Sequence, residues 1–389
     1  MELPAHFSEG MARLHEQAAA ATGLDDFGEP LYREGLGVLL ESYDETAQLS
    51  DVGRYVCWAM LLNCLRGRLY AIEGIKKNPA CLNTPIEKPL FIVGLPRTGT
   101  TVLHRLLASC ADNQGLEYWL GSFPKPRPPR DTWQGDQRFL EVEKSLQSLN
   151  QLNPELKKIH EMSADGADEC RLLLMQSFAN VTFQANATAP AYEQWLYQTD
   201  MREAYKLYAR TLQLIGMNDG GKRWVLKDPS HLWALDVLLD VFPDATVIQT
   251  HRDPVQLIPS VCSLVLTARR MQEPDISPQA IGAAELQQWD TVLNNAMGVR
   301  KRHPGRFIDI QFEDFVRDPV ATVLGIYRQM GETLQPETAQ GMQQWMRKHP
   351  QHQHGGHNYR AMDFGLNPDL IRERFSDYCQ YFEVQPHAT

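Results

Sequence analysis

The segment Gly94-Leu-Pro-Arg-Thr-Gly-Thr-Thr101 is the first place in this chain where residue types and spacing suggest chemistry. Its two glycines have the spacing of a Walker A loop, but Thr100 stands where that loop carries its lysine. Backbone N–H groups of a glycine loop that runs into a helix converge on one anion, and the helix dipole adds to the attraction. Gly99 lies at the helix start, the hydroxyls of Thr98, Thr100 and Thr101 add donors, and Arg97 adds a planar cation suited to phosphate. With no lysine to bridge a β and a γ phosphate, the loop suits a single 5′-phosphate joined to a reactive group better than a triphosphate with magnesium. The competing reading is a strand-to-helix turn that binds nothing.

Further candidates lie downstream. In TVIQTHRDPVQLIPSV, Arg252 ends an apolar run, Asp253-Pro254 has the cap-then-proline order of a helix start, and Ser260 follows eight residues after Arg252. Pro259 removes a helix hydrogen bond beside that serine. In VLKDPSHL, Lys227 closes another apolar run, where α/β sheets place their ligands. Asp228 or Ser230 is suited to cap the next helical turn, and His231 is a contact or a half-buried helix residue. The segment IHEMSADGADEC supplies His160, Glu161, Asp165, Asp168 and Glu169 as proton acceptors, although a carboxylate before a helix also simply suits its dipole. His349, His352, His354 and His357 invite a metal, but they sit in a glycine-rich stretch with no acidic or thiolate partner nearby, so no metal is expected.

These residues need strands and helices to hold them. The apolar run Leu90 to Val93, then Gly94, then the stripe Val102, Leu103, Leu106 and Leu107 reads as strand, loop and helix. WVL at 224–226, TVIQ at 246–249 and RFIDIQF at 306–312, separated by helical segments, read as further parallel strands. Residues 9–76 carry three helical runs, 120–222 read as mostly helix and loop, and SFPKPRPPR is too rich in proline for either element and reads as an exposed loop. The expected class is α/β: a P-loop-like parallel sheet flanked by helices, residues 87–389, behind a helical N-terminal cap, residues 1–86.

The bulk properties narrow the partners. Forty-eight acidic against 38 basic residues give a net charge of −10, which disfavours nucleic acid and anionic membranes. Seven scattered cysteines without a CxxC pair disfavour a disulfide framework and a thiolate zinc site, so a reducing cytoplasm is expected. MELPAHFSEG lacks a basic start and apolar run, and no apolar stretch reaches the roughly 18 residues of a spanning helix, so neither export nor membrane insertion is expected.

LFIVGLPRTGTTVLHRLL, with KDPSHL, HRDP and its downstream serine, and DFGL in that order, resembles sulfotransferases that use 3′-phosphoadenosine-5′-phosphosulfate (PAPS), in the bacterial group related to the tyrosylprotein and carbohydrate enzymes. The likeness covers most of the chain. It implies that the loop holds the 5′-phosphosulfate, that Arg252 and Ser260 hold the 3′-phosphate, and that Lys227 stabilises the transferring group. It implies a histidine or a glutamate as general base, with Glu169 favoured and His160 second. HNYRAMDFGL then resembles the stretch that closes over the nucleotide, making His357, Tyr359 and Arg360 donor contacts. Trp119, Trp133, Trp195 and Tyr197 are candidates to line an apolar pocket for a small-molecule or lipid-like acceptor, or simply core. The expected activity is metal-independent sulfuryl transfer to a hydroxyl or amine. A P-loop NTP-dependent kinase is the alternative, which the missing lysine opposes, and a non-catalytic nucleotide-binding protein is the third reading. Acceptor identity and oligomeric state are not written in these motifs.

Overall fold

The strand expected at Leu90 forms as β1, Leu90–Gly94, and is buried at all five positions, which is why it reads as an unbroken apolar run. It has a parallel partner on each side. The computed structural model describes residues 2–154, 162–348 and 360–386. Among these, the sheet has five strands in the order β2-β3-β1-β4-β5, where β2 is Asn113–Gln114, β3 is Arg223–Lys227, β4 is Thr246–His251 and β5 is Phe307–Gln311. Every pair is parallel, with Ile92 opposite both Lys227 of β3 and Ile248 of β4. Three expected strands are present beside β1, and the α/β parallel-sheet class is the observed one. Strand β2 went unexpected because two polar residues at an edge leave no apolar pattern.

Two compact units emerge, each described by itself. The sheet unit comprises Glu87–Gly115, Gly221–Leu266 and Ser277–Thr389. Its core joins Leu90 and Ile92 of β1 to Leu103, Leu106 and Leu107 of helix α4, Thr100–Ala108, and to Val225, Ile248, Ile308 and Ile310. The leucine stripe read from the sequence is thus the face α4 turns to the sheet, and burying each side chain contributes about 1.5–3 kcal/mol.

The helical unit comprises Met1–Ile86, Leu116–Gly220 and Thr267–Ile276, so the whole of 1–86 falls within it together with two later stretches. Helices α1, Met11–Thr22, α2, Tyr32–Thr46, and α3, Asp51–Lys77, bury Leu14, Leu36, Leu39, Trp58, Leu61 and Leu65 in one core. The Ser50 hydroxyl accepts from the Gly53 N–H at 3.0 Å to cap α3, and Lys76 and Lys77 meet the negative end of its dipole.

The proline-rich stretch departs from expectation. SFPKPRPPR is indeed irregular from Phe123 to Pro129, but only its last two residues, Pro129 and Arg130, are exposed: Phe123 and Pro124 are buried and 125–128 half-buried. Arg127 anchors it, pairing with Glu117 at 2.9 Å and Asp219 at 2.6 Å. Proline content forbade regular structure without forcing exposure. No described helix is long and apolar enough to cross a membrane, and the seven cysteines form no disulfide.

At the end of β1, Gly94 has φ +143°, and a Cβ there would lie 2.3 Å from Thr250 Oγ1. Gly94→Ala is therefore expected to destabilise the protein by about 1–3 kcal/mol through overpacking, read from urea unfolding. Unchanged stability would show that β4 can move aside.

Candidate functional site

The sheet reverses its winding between β1 and β4, since β1 leads outward by way of α4 and β4 leads to the opposite edge. Open α/β sheets bind ligands at such a switch point, beyond the carboxyl ends of the strands. The glycine loop leaves β1 there. Gly99, with φ +79°, turns the chain into α4 as its N-cap and offers no side-chain cap. The first N–H groups of α4, at Thr100, Thr101 and Val102, thus remain available to an anion. A Cβ on Gly99 would press on Phe315 at 3.0 Å.

Thr98 does not play the part its hydroxyl suggested. It is fully buried and its hydroxyl donates to the Leu95 carbonyl at 2.7 Å, leaving Thr250 Oγ1, 2.6 Å away, to donate to Thr98 Oγ1. A hydroxyl has one proton, so Thr98 braces the loop and does not aim its hydroxyl at a ligand. Thr100 is buried and Thr101 half-buried, while Arg97 is exposed and, with φ +75°, takes a backbone conformation unusual for a non-glycine residue.

Arg252 follows the last residue of β4, as its apolar run implied. Asp253 Oδ1 accepts from the Val255 N–H at 2.9 Å and Pro254 starts helix α5, Pro254–Arg269, which continues through Pro259 and carries half-buried Ser260. One Arg252 terminal nitrogen donates to the Arg97 carbonyl and the other to Gln256 Oε1, each at 3.0 Å, and the guanidinium lies 4.1 Å over the Phe312 ring. Its Nε is buried without a hydrogen-bond partner. Burial lowers the guanidinium pKa, Glu313 opposes that, and Arg97 adds a repulsive charge. Arg97 and Arg252 are thus brought together from loop and strand end, an arrangement that favours an anion between them.

Lys227 closes β3 and is only 2% exposed, and its Nζ makes a long 3.5 Å contact with Thr101 Oγ1. Asp228 caps the turn after it through Ser230 N–H at 2.8 Å. Lys227 is therefore no surface lysine. His231 is a core residue: it is fully buried edge-on to Phe91 at 5.2 Å, and burial pulls its pKa down to about 3.

Glu169 sits in the helical unit, ahead of a short helix Arg171–Leu174, and pairs with Arg171 at 3.2 Å. Asp168 caps the Glu169 N–H at 2.7 Å and Asp165 pairs with Arg130. His160 and Glu161 lie outside the described residues, as do Tyr359 and the histidines from His349 to His357. Arg360 is exposed and pairs with Asp363 at 3.0 Å. Among the described residues no group of three or more His, Cys, Asp and Glu could hold a metal. The four aromatics do not form one wall. Trp119 and Trp133 pack with Phe139 in the core, Trp195 packs on Tyr192 and donates to Glu34 at 3.0 Å, and Tyr197 is exposed. Thr250, Gln256 and Phe312 were missed, because each acts through a neighbour that no local pattern marks.

A parallel sheet with a glycine loop at its switch point defines the P-loop-like α/β class. Residues 89–336 match the model of the sulfotransferase family, and the chain belongs to that family. Sulfotransferase STF1 from Mycobacterium tuberculosis H37Rv is 38% identical over 94% of this chain and 98% of its own, with a TM-score of 0.87. Sulfotransferase STF9 from Mycobacterium avium is 26% identical, with all of both chains covered and a TM-score of 0.91. The omega-hydroxy-beta-dihydromenaquinone-9 sulfotransferase Stf3 of Mycobacterium tuberculosis is 26% identical over 261 residues, and the match spans 63% of each chain. The family and fold implied by the motifs are those found.

His231 gives a pH prediction. The unfolded chain protonates this imidazole near 6.5 and the folded one only near 3, so folding is penalised as pH falls through that interval. His231→Leu should flatten the loss of stability between pH 7 and about 4.5, measured by urea unfolding at each pH. An unaltered slope would contradict the neutral core assignment.

Proposed function

We propose that this chain transfers a sulfuryl group from PAPS to a hydroxyl of a small-molecule or lipid-like acceptor, in a reducing compartment such as the cytoplasm. One observation carries the reading: the Arg252 guanidinium, beyond β4, donates to the Arg97 carbonyl within a glycine loop that lacks the lysine of NTP-binding loops. Two anion sites therefore meet at one switch point, as a nucleotide phosphorylated at both its 5′ and 3′ positions requires. The buried, unpartnered Nε of Arg252 fits such a ligand, since a spare donor of a half-buried cation is satisfied by phosphate.

Arg97, Gly99, Thr100 and Thr101 hold the 5′-phosphosulfate, with Thr98 contributing its backbone N–H. Arg252 and Ser260 hold the 3′-phosphate, and Tyr359 belongs to the segment that covers the nucleotide. The sulfur–oxygen bond to the 5′-phosphate of PAPS breaks, leaving 3′-phosphoadenosine 5′-phosphate, while the acceptor oxygen loses its proton and bonds the sulfuryl sulfur to form a sulfate ester. Lys227 places positive charge where the departing phosphate oxygen becomes negative. Glu169 takes the acceptor proton, with His160 the second candidate. No metal takes part. The name of Stf3 specifies an omega-hydroxylated menaquinone, which supports a hydroxyl on an apolar carrier as the acceptor class.

Calorimetry separates this from a kinase. 3′-Phosphoadenosine 5′-phosphate should bind tightly without magnesium and ATP weakly, and Arg252→Ala should cost the former about 1.5–3 kcal/mol. Equal affinity for both nucleotides, or an absolute need for magnesium, sinks the donor assignment.

Turnover separates chemistry from binding. Lys227→Ala should lower kcat and kcat/KM together by about 10²–10³ while donor affinity stays nearly unchanged. Glu169→Gln should do likewise, with His160→Ala as the deciding control. Near-normal turnover with only donor affinity reduced would reassign Lys227 to phosphate binding.

A further inference from the structure

A polar relay, buried at His251, Arg300 and Tyr378 and open to solvent at Asp309, stands beside Arg252, and neither the loop nor the transfer chemistry accounts for it. Asp309 on β5 takes the Arg300 guanidinium on Oδ2 at 2.7 Å and faces His251 Nε2 through Oδ1 at 2.9 Å. Arg300, on helix α6, Pro278–Arg302, also donates to Gln249 Oε1 at 2.9 Å, clamping β4 to β5. His251 is fully buried, burial lowers its pKa, and the Asp309 carboxylate only partly opposes this, so the imidazole is neutral. An ionised carboxylate only accepts, so the single imidazole proton sits on Nε2. Nδ1 must then accept, and the group facing it at 3.0 Å is the Tyr378 hydroxyl, which donates. Tyr378 thereby holds the imidazole of His251, the residue that immediately precedes Arg252 in the chain. Each proton in this chain has one acceptor, which fixes every direction.

Tyr378 belongs to helix α7, Ser376–Tyr381, near the C-terminal end of the described chain. The next residue after that helix completes the fastening. The Phe382 ring stacks on His251 at 4.0 Å and 23° and receives Arg300 at 4.8 Å, and its carbonyl accepts from Gln311 of β5 at 2.7 Å. The C-terminal helix and Phe382 therefore grip His251 at the end of β4, and the next residue carries the guanidinium.

We infer that Tyr378 is a positioning residue for nucleotide selectivity: by donating to His251, the residue before Arg252, it fixes where the Arg252 guanidinium meets a 3′-phosphate. This rests on the donor assignment above. Tyr378→Phe keeps the ring and its packing but leaves His251 Nδ1 without a donor, so the imidazole and the strand end that carries it can rotate. A small displacement of a directional cation is costly at a tetrahedral anion and irrelevant to a ligand that lacks it.

The experiment is calorimetric titration of the full chain with 3′-phosphoadenosine 5′-phosphate and with adenosine 5′-phosphate, for wild type, Tyr378→Phe, Arg252→Ala and the double variant. Tyr378→Phe should weaken the 3′-phosphorylated ligand about tenfold, the scale of one buried hydrogen bond, and leave adenosine 5′-phosphate unchanged. In the Arg252→Ala background it should change neither, because the effect travels through Arg252. An unaltered affinity ratio in Tyr378→Phe, or the same loss with and without Arg252, overturns the positioning role while leaving the donor assignment standing. A wild type that does not prefer the 3′-phosphorylated ligand overturns both. Should Tyr378→Phe not fold, Phe382→Leu keeps every hydrogen bond and removes the ring stacked on His251. It should shift the ratio in the same direction, and an unchanged ratio in that folded variant overturns the proposal.

Discussion

The close approach of β1 and β4 at their carboxyl ends is the constraint on which the sheet unit depends. Gly94 has no Cβ, and only for that reason can Thr250 lie against it. From there the Thr250 hydroxyl reaches Thr98 at 2.6 Å and ties the loop to the neighbouring strand. The tie fixes where the loop turns, and thus where α4 begins and which N–H groups face outward. Because Arg252 is two residues beyond Thr250, the same strand that braces the loop also delivers the second cation. Loop and arginine are set by one register, not two.

Much of this was legible, and the reason is physical. Parallel strands buried on both faces read as continuous apolar runs, so β1, β3 and β4 announced themselves, and the glycine spacing at Gly94 and Gly99 named the turn. The strand-end positions of Lys227 and Arg252 were legible because each ends such a run. What stayed hidden depends on distant partners. Nothing in the local sequence separates the Thr98 hydroxyl, committed to Leu95, from the Thr100 and Thr101 hydroxyls beside it. His231 resembles a ligand in sequence and is buried against Phe91 in the fold, and Arg127 anchors a proline-rich stretch that composition alone assigned to solvent. Strand β2 carries no apolar pattern at all.

Buried charge in the sheet unit is handled by pairing in rows. Arg300, Asp309, His251 and Tyr378 satisfy one another in sequence: leaving one of the three buried members, Arg300, His251 or Tyr378, unmatched costs about 1–3 kcal/mol, while Asp309 at the rim keeps water as an alternative partner. Such a group holds a strand end more sharply than apolar packing, since hydrogen bonds have direction and hydrocarbon contacts do not.

The resting place of Arg252 bears on how the site discriminates. Stacked on Phe312 and bonded to the Arg97 carbonyl and Gln256, the side chain has already surrendered the rotamer freedom, about 2 kcal/mol, that an arginine waving in solvent would lose on capture. That loss was incurred when the chain folded. Any ligand that comes to this arginine meets a side chain whose place is already set.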